Sequence, residues 1–238
     1  MKKIKRALIS VSDKDNLKFL LKNLKKYQIK LISSGGSYKE IKKMGFSCEE
    51  VSKYTSSPEI LSGRVKTLHP KIHAGILSKR KLKAHKNDLK KNNYNEIDLV
   101  IVNFYPFEKT LKQSKNHEKI LENIDIGGPT LVRAAAKNYN YVTIVTSISQ
   151  YEELIKNLNE NKGATSLEFR KKAALEAFGE TAYYESLIFN YFKDILPNEN
   201  SKKIILGLSK FFLSAMISKA KVSRELPANT AEASPNLI

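Results

Sequence analysis

Residues 125–138 read Asp125-Ile126-Gly127-Gly128-Pro129-Thr130-Leu131-Val132-Arg133-Ala134-Ala135-Ala136-Lys137-Asn138. A carboxylate, two glycines and a proline lead into an alanine-rich segment of high helix propensity. Gly127 and Gly128 permit a tight loop and let a ligand come close to the backbone. Pro129 suits the first turn of a helix, where its missing N–H is no loss. A helix start of this kind leaves unpaired N–H groups and a partial positive charge, which suit an anion or a developing oxyanion. Arg133 and Lys137, four residues apart, share a helix face. Taken alone, the same residues also describe an ordinary loop-to-helix junction with solvated charges.

Upstream, 98–103 (Asp-Leu-Val-Ile-Val-Asn) is a continuous apolar run that predicts a buried parallel strand. Ligands of open α/β sheets sit at the carboxyl ends of the strands, which makes Asn103 and Tyr105 candidates. Residues 118–122 predict a helix between that loop and the 125–138 stretch. Further back, Gly63-Arg-Val-Lys-Thr-Leu-His-Pro70 is read as extended, so that Arg64 and Lys66 point the same way and form an anion pocket. His69 and His73 lie four apart, but Pro70 and the lack of a nearby carboxylate argue against a metal site.

Nearer the N-terminus, 6–11 and 30–33 predict strands, with a helix between them placed by Leu17, Leu20, Leu21 and Leu24. Each strand ends in a small polar loop: Ser12-Asp13-Lys14 after the first, Ser34-Gly-Gly-Ser37 after the second. Such loops converge N–H groups on a phosphate, although neither has the P-loop spacing. Plain N-cap turns are the alternative reading. A weak strand over 49–53 and an exposed helix within 79–93 follow. Beyond the opening stretch, 141–145 predicts a strand, 148–158 a helix, and 166–192 one long helix or two. The apolar side of that last segment is read from Leu167, Ala174, Leu175, Phe178, Ala182, Leu187 and Ile188, with Pro197 ending it. Strands alternating with helices imply a mostly parallel sheet covered on both faces.

The 238 residues carry 42 Lys and Arg against 24 Asp and Glu, a net charge of 42 − 24 = +18. The lysines are spread along the chain with no nucleic-acid motif, so they read as a solvated surface and not as a nucleic-acid site. One cysteine, Cys48, excludes an internal disulfide framework and fits a reducing compartment. The basic N-terminus precedes too short an apolar run for a signal peptide, and no membrane-length apolar stretch is present. A cytoplasmic protein is expected.

Five motifs in order now carry a resemblance: Ser10-Val-Ser-Asp-Lys14, Ser34-Gly-Gly-Ser37, Gly63-Arg-Val-Lys-Thr-Leu-His-Pro70, Asn103-Phe-Tyr-Pro-Phe107 and the 125–138 stretch. Together they resemble the IMP cyclohydrolase domain of the bifunctional purine-biosynthesis family, which joins that domain to an AICAR formyltransferase. The likeness covers residues 4–195. It implies a methylglyoxal-synthase-like α/β fold over 1–198, homodimers, and dehydrative closure of 5-formamidoimidazole-4-carboxamide ribotide (FAICAR) to inosine monophosphate (IMP) without metal or organic cofactor. By the same resemblance Lys66, Tyr105, Asp125 and Lys137 are catalytic. Ser12, Asp13, Lys14, Ser34, Gly35, Gly36, Ser37, Arg64, Val65, Thr67, Asn103, Phe104, Ile126, Gly127 and Gly128 contact the nucleotide. Arg133 is structural. Ser37 stands where the family commonly has Thr, which keeps the hydroxyl. Residues 199–238 look unlike the family and are expected to be an atypical tail without the formyltransferase domain. A methylglyoxal synthase or effector domain would share the fold, but its catalytic aspartate–histidine set finds no counterpart here.

Overall fold

The computed structural model describes residues 3–196. The chain divides into two compact units, Met1–Leu187 and Ile188–Ile238. The expected domain boundary at residue 198, the stop at Pro197 and the 199–238 tail lie outside the described residues.

In the first unit, short runs of two to six residues, apolar in character except at β3, become strands, and the amphipathic segments between them become crossover helices. In order these are β1 (Arg6–Val11), α1 (Leu17–Lys26), β2 (Lys30–Ser33), α2 (Gly35–Lys43), β3 (Glu49–Glu50) and α3 (Val51–Thr55). There follow α4 (Pro70–Leu77), α5 (Lys83–Lys91), β4 (Leu99–Asn103), α6 (Phe107–Gln113), α7 (His117–Glu122), α8 (Gly127–Lys137), β5 (Thr143–Val145), α9 (Tyr151–Glu160) and α10 (Leu167–Ile195). The sheet is wholly parallel, in the order β3-β2-β1-β4-β5. Its direction of growth reverses at β1, so a crevice opens between the carboxyl ends of β1 and β4. Register pairs Val11 with Asn103 at that point.

Alternate residues of the central strands supply two cores. Leu8, Ile32, Val100 and Val102 face α3, α4, α8 and α10, whereas Ala7, Ile9, Leu99 and Ile101 face α1, α2 and α9. Both faces are therefore covered, as the continuous apolar runs required.

Several local expectations change. The 49–53 strand stops at Glu50, because Val51 turns inward to start α3. Residues 107–113 form a helix that periodicity did not reveal. Residues 167–195 are a single helix, yet Leu175 and Phe178 are exposed. The face buried up to Leu187 is Phe169, Ala173, Ala174, Ala177, Thr181, Tyr184 and Ser186, where small side chains permit close approach. His69 caps α4, its Nδ1 accepting from Lys71 N at 3.1 Å, with Pro70 as the first helical residue. Burial holds the pKa of His73 below its usual value. Among the described residues no cluster of ligating side chains could hold a metal, and no helix is long and apolar enough to cross a membrane.

Candidate active site

A cleft of about 580 Å³ opens at the switch point, lined by the β1, β2 and β4 loops, by 62–67 and by 121–128. Its floor is organised by Asn103, the last residue of β4. The Asn103 Oδ1 accepts from the amides of Ser12 (2.6 Å) and Asp13 (3.0 Å), while its Nδ2 donates to Asp13 O at 2.9 Å. One side chain thus fixes the whole loop after β1. Lys14 completes that loop by donating from Nζ to Ser12 O at 3.0 Å.

The second wall is the start of α2. Ser34 is the N-cap but makes no capping hydrogen bond, so the first-turn amides of the helix are uncapped. Gly35 has φ +51°, a conformation suited to glycine. A β-carbon there would meet Lys66 Nζ at 3.4 Å, and one at Gly36 would lie 4.0 Å from Lys14 Nζ. Two ammonium groups therefore hang over an open helix start, the geometry of a phosphate cradle. The hydroxyls of Ser12 and Ser34 have no hydrogen-bond partner among the described residues. Ser37 differs from expectation. Its hydroxyl accepts from Val11 N and donates to Val11 O, both at 2.9 Å, so its single proton clasps β1 and is not available to a phosphate.

Arg64 also lines the cleft, although not by extension. Residues 61–63 form a 3-10 turn and Arg64 itself is helical (φ −66°, ψ −27°). Its guanidinium is exposed and ion-paired with Glu122 of α7, a cleft residue that sequence reasoning did not identify.

At the opposite wall lies the opening stretch. Asp125 Oδ1 accepts from Gly128 N at 2.8 Å, and Pro129 has no N–H to offer. The start of α8 is therefore closed by its own carboxylate instead of standing open to an anion. Gly128 is required there, since a β-carbon would collide with the Asp125 carboxylate and approach Phe104 Cδ1 at 3.1 Å. Thr67 Oγ1 packs on Gly127, within 2.9 Å of where a β-carbon would stand. Burial raises the Asp125 pKa above the usual carboxylate range, against a downward pull from nearby amides and Lys66. Lys66 thus stands between the α2 turn and Asp125. Tyr105 lies on the rim, 41% exposed.

Of the expected site residues, Ser12, Lys14, Ser34, Gly36, Ser37, Arg64, Lys66, Thr67, Asn103, Tyr105, Asp125, Ile126, Gly127 and Gly128 line this one cleft. Asp13, Gly35, Val65 and Phe104 adjoin lining residues in sequence but do not themselves line it. Lys137 does not join them. It is exposed at the last turn of α8, ten residues and about 15 Å of helix from Gly127. The sequence reading also missed Tyr184 of α10, whose hydroxyl accepts from Asp125 N at 2.7 Å. No sequence signal marks it, since only the fold brings α10 to that loop.

This is an α/β domain of the MGS-like class: residues 16–130 match the family model described as "MGS-like domain". Residues 135–220 match the model "AICARFT/IMPCHase bienzyme", which reaches past residue 195, where the likeness is expected to end, and into the 199–238 segment expected to look unlike the family. The bifunctional purine biosynthesis protein PurH of Wigglesworthia glossinidia brevipalpis is 47% identical over 209 residues, covering 87% of this chain and 39% of the relative. PurH of Rippkaea orientalis is 48% identical over 200 residues, covering 83% and 39%. The chain thus spans about two fifths of the length of these curated relatives. A solved structure titled "Crystal structure of ForH" superposes with a TM-score of 0.69 at 28% identity, covering 78% of this chain and 97% of that one. The chain belongs to the PurH family and carries its IMP cyclohydrolase-type domain.

Proposed function

We propose that this chain is an IMP cyclohydrolase, closing FAICAR to IMP with loss of water in purine biosynthesis. The observation that carries the reading is the division of one cleft into two chemically distinct ends. Lys14, Lys66 and the uncapped start of α2 form an anion-binding end. Asp125, with its raised pKa, and Tyr105 form a proton-transfer end.

The 5′-phosphate of the ribotide lies at the first end, which places the imidazole and its two substituents toward Asp125. The carboxamide nitrogen attacks the formyl carbon and gives up a proton to the Asp125 carboxylate. Burial makes that carboxylate a stronger base than an exposed one, and general-base assistance of this kind contributes about 10²–10⁴ in rate. The formyl oxygen becomes an oxyanion beside Lys66, whose ammonium stabilises it, worth on the order of 3 kcal/mol for one well-placed donor. Protonation of that oxygen by Tyr105 or Lys66 gives a hydroxyl, which takes the proton held by Asp125 and leaves as water while the ring C=N bond forms to the formamido nitrogen, whose own lost proton restores Tyr105 or Lys66. Lys137 has no place in this scheme within one protomer. The Asp125-capped start of α8 holds the base, and the oxyanion role, expected of Lys66 together with the backbone near Gly127, rests in this scheme on Lys66.

A homodimer and a cytoplasmic setting accompany this reading as proposals drawn from the family, the former checked by light scattering. The decisive test is an absorbance assay of FAICAR cyclisation by the wild type, Lys66→Ala and Asp125→Asn. Wild-type turnover with severe loss in both variants is expected. Equal rates in all three would remove the assignment.

A further inference from the structure

Asp125 sits in the short loop between α7 and α8, held at two points. Its carboxylate is fixed by Gly128 N, as described above. Its backbone is fixed from a distant element: the amide donates to Tyr184 Oη at 2.7 Å, across 59 residues of sequence. The same hydroxyl donates to Asn123 O at 3.3 Å. One phenol therefore supplies partners to both an N–H and a C=O of a loop that has no ladder of its own.

The ring is as engaged as the hydroxyl. Tyr184 is 4% exposed, and it packs on Phe104 (centroids 4.9 Å apart, planes at 48°) and edge-on to Phe107 (6.0 Å, 65°). These two phenylalanines bracket Tyr105 and Pro106. Thus α10 holds, through a single side chain, the two loops that carry the proton-transfer end of the cleft. Tyr184 itself does not line the cleft.

We propose that Tyr184 is the positioning residue of this site, setting the Asp125 carboxylate in register with the Tyr105 loop. Resting on the cyclohydrolase reading, the inference adds to it a residue outside the cleft that governs the chemical step and not nucleotide binding. Burial pushes the Tyr184 hydroxyl up to about 12, in keeping with a phenol held inside the fold.

The test is Tyr184→Phe, which keeps the ring stack and removes only the oxygen. A displacement of a catalytic group by about 1 Å costs on the order of 10²-fold. The expected result is a fall in kcat of about tenfold to a hundredfold with KM for FAICAR changed less than twofold, since the Lys14–Ser34–Gly36 end is untouched. Amide hydrogen exchange supplies a readout independent of turnover. The Asp125 amide should exchange at least tenfold faster in the variant, with the amides of Val132–Ala136 unaltered. Unchanged kcat, or a KM rise equal to the kcat loss, overturns the proposal. Should the variant not fold, the wild type still decides: an Asp125 amide exchanging as fast as an exposed loop amide overturns it, and a protected one supports it. If the wild type fails to cyclise FAICAR, the cyclohydrolase reading falls, while the exchange arm still reports on Tyr184.

Discussion

Two helix starts face each other across the cleft, and their sequences look alike. Ser34-Gly-Gly-Ser37 opens α2 and Asp125-Ile-Gly-Gly-Pro129 opens α8. Both combine an N-cap-type residue with paired glycines, and both predict an anion site. The fold gives them opposite electrostatic roles. At α2 no side chain caps the first turn, and Lys14 and Lys66 add positive charge to the helix end. At α8 the Asp125 carboxylate takes the Gly128 amide, so negative charge already occupies the helix end. An uncapped start attracts an anion, whereas a self-capped start holds an oriented base. In the proposed cyclohydrolase reading, this difference lets one small cleft grip a phosphate at one wall and move protons at the other.

The most damaging way to break the contrast is Asp125→Asn. The amide oxygen still caps Gly128, so the melting temperature should hardly move, while kcat for FAICAR falls about 10²–10⁴-fold. A variant that keeps more than a tenth of wild-type kcat would exclude Asp125 as the base. Gly128→Ala should act next most strongly. Its methyl group displaces the carboxylate it crowds, and a loss of kcat on the order of 10²-fold is expected from misplacement at unchanged chemistry.

Lys14→Ala probes the other wall. Loss of one charge-assisted contact, about 1.5–3 kcal/mol, should raise KM roughly tenfold or more and leave kcat close to normal. Steady-state kinetics that show the reverse pattern would interchange the two ends. Gly35→Ala tests the backbone of the same wall. Its φ of +51° makes a β-carbon cost about 1–2 kcal/mol, read as a lower denaturation midpoint.

The smallest effect concerns pH. The Asp125 pKa is raised in the folded state from the ordinary 3.8. The folded chain therefore holds this proton more tightly than the unfolded chain. Its stabilising contribution is present below the ordinary value and is lost as pH rises through the raised one. Relative to Asp125→Asn, the wild type should thus lose stability over that window, measured by denaturant unfolding at a series of pH values. The acidic limb of the kcat profile should lie above the usual carboxylate range for the same reason. A limb at or below pH 3.8 would contradict the burial argument.

Much of the fold could be read along the chain because it rests on local periodicity. The runs at 6–11, 30–33 and 98–103 became β1, β2 and β4, and the leucines at 17, 20, 21 and 24 became the buried face of α1. The weak points were those where two geometries suit one composition. Glu49–Lys53 reads as a strand, but its apolar Val51 turns into a helix. In α10 the large apolar residues Leu175 and Phe178 suggested the buried face, while alanines and Tyr184 fill it. Side-chain size alone does not tell a packed face from an exposed one.

By itself the sequence determined the inventory of the site: which residue types lie in the loops after β1, β2 and β4, and that a carboxylate precedes the glycines at 127 and 128. Only the tertiary structure decided where each is held and what it bonds to. Ser37 lost its place as a phosphate donor because its proton goes to Val11, and Lys137 left the cleft because a straight helix carries it about 15 Å away. Tyr184 entered because α10 crosses the loop that holds Asp125. The physical reason is common to all three. A hydrogen bond or a helix length fixes where a group points, and those partners lie far apart in sequence, where no local pattern records them. The Asp-Ile-Gly-Gly-Pro stretch announces chemistry, but whether its helix start binds an anion or holds a base depends on a loop conformation set from elsewhere in the fold.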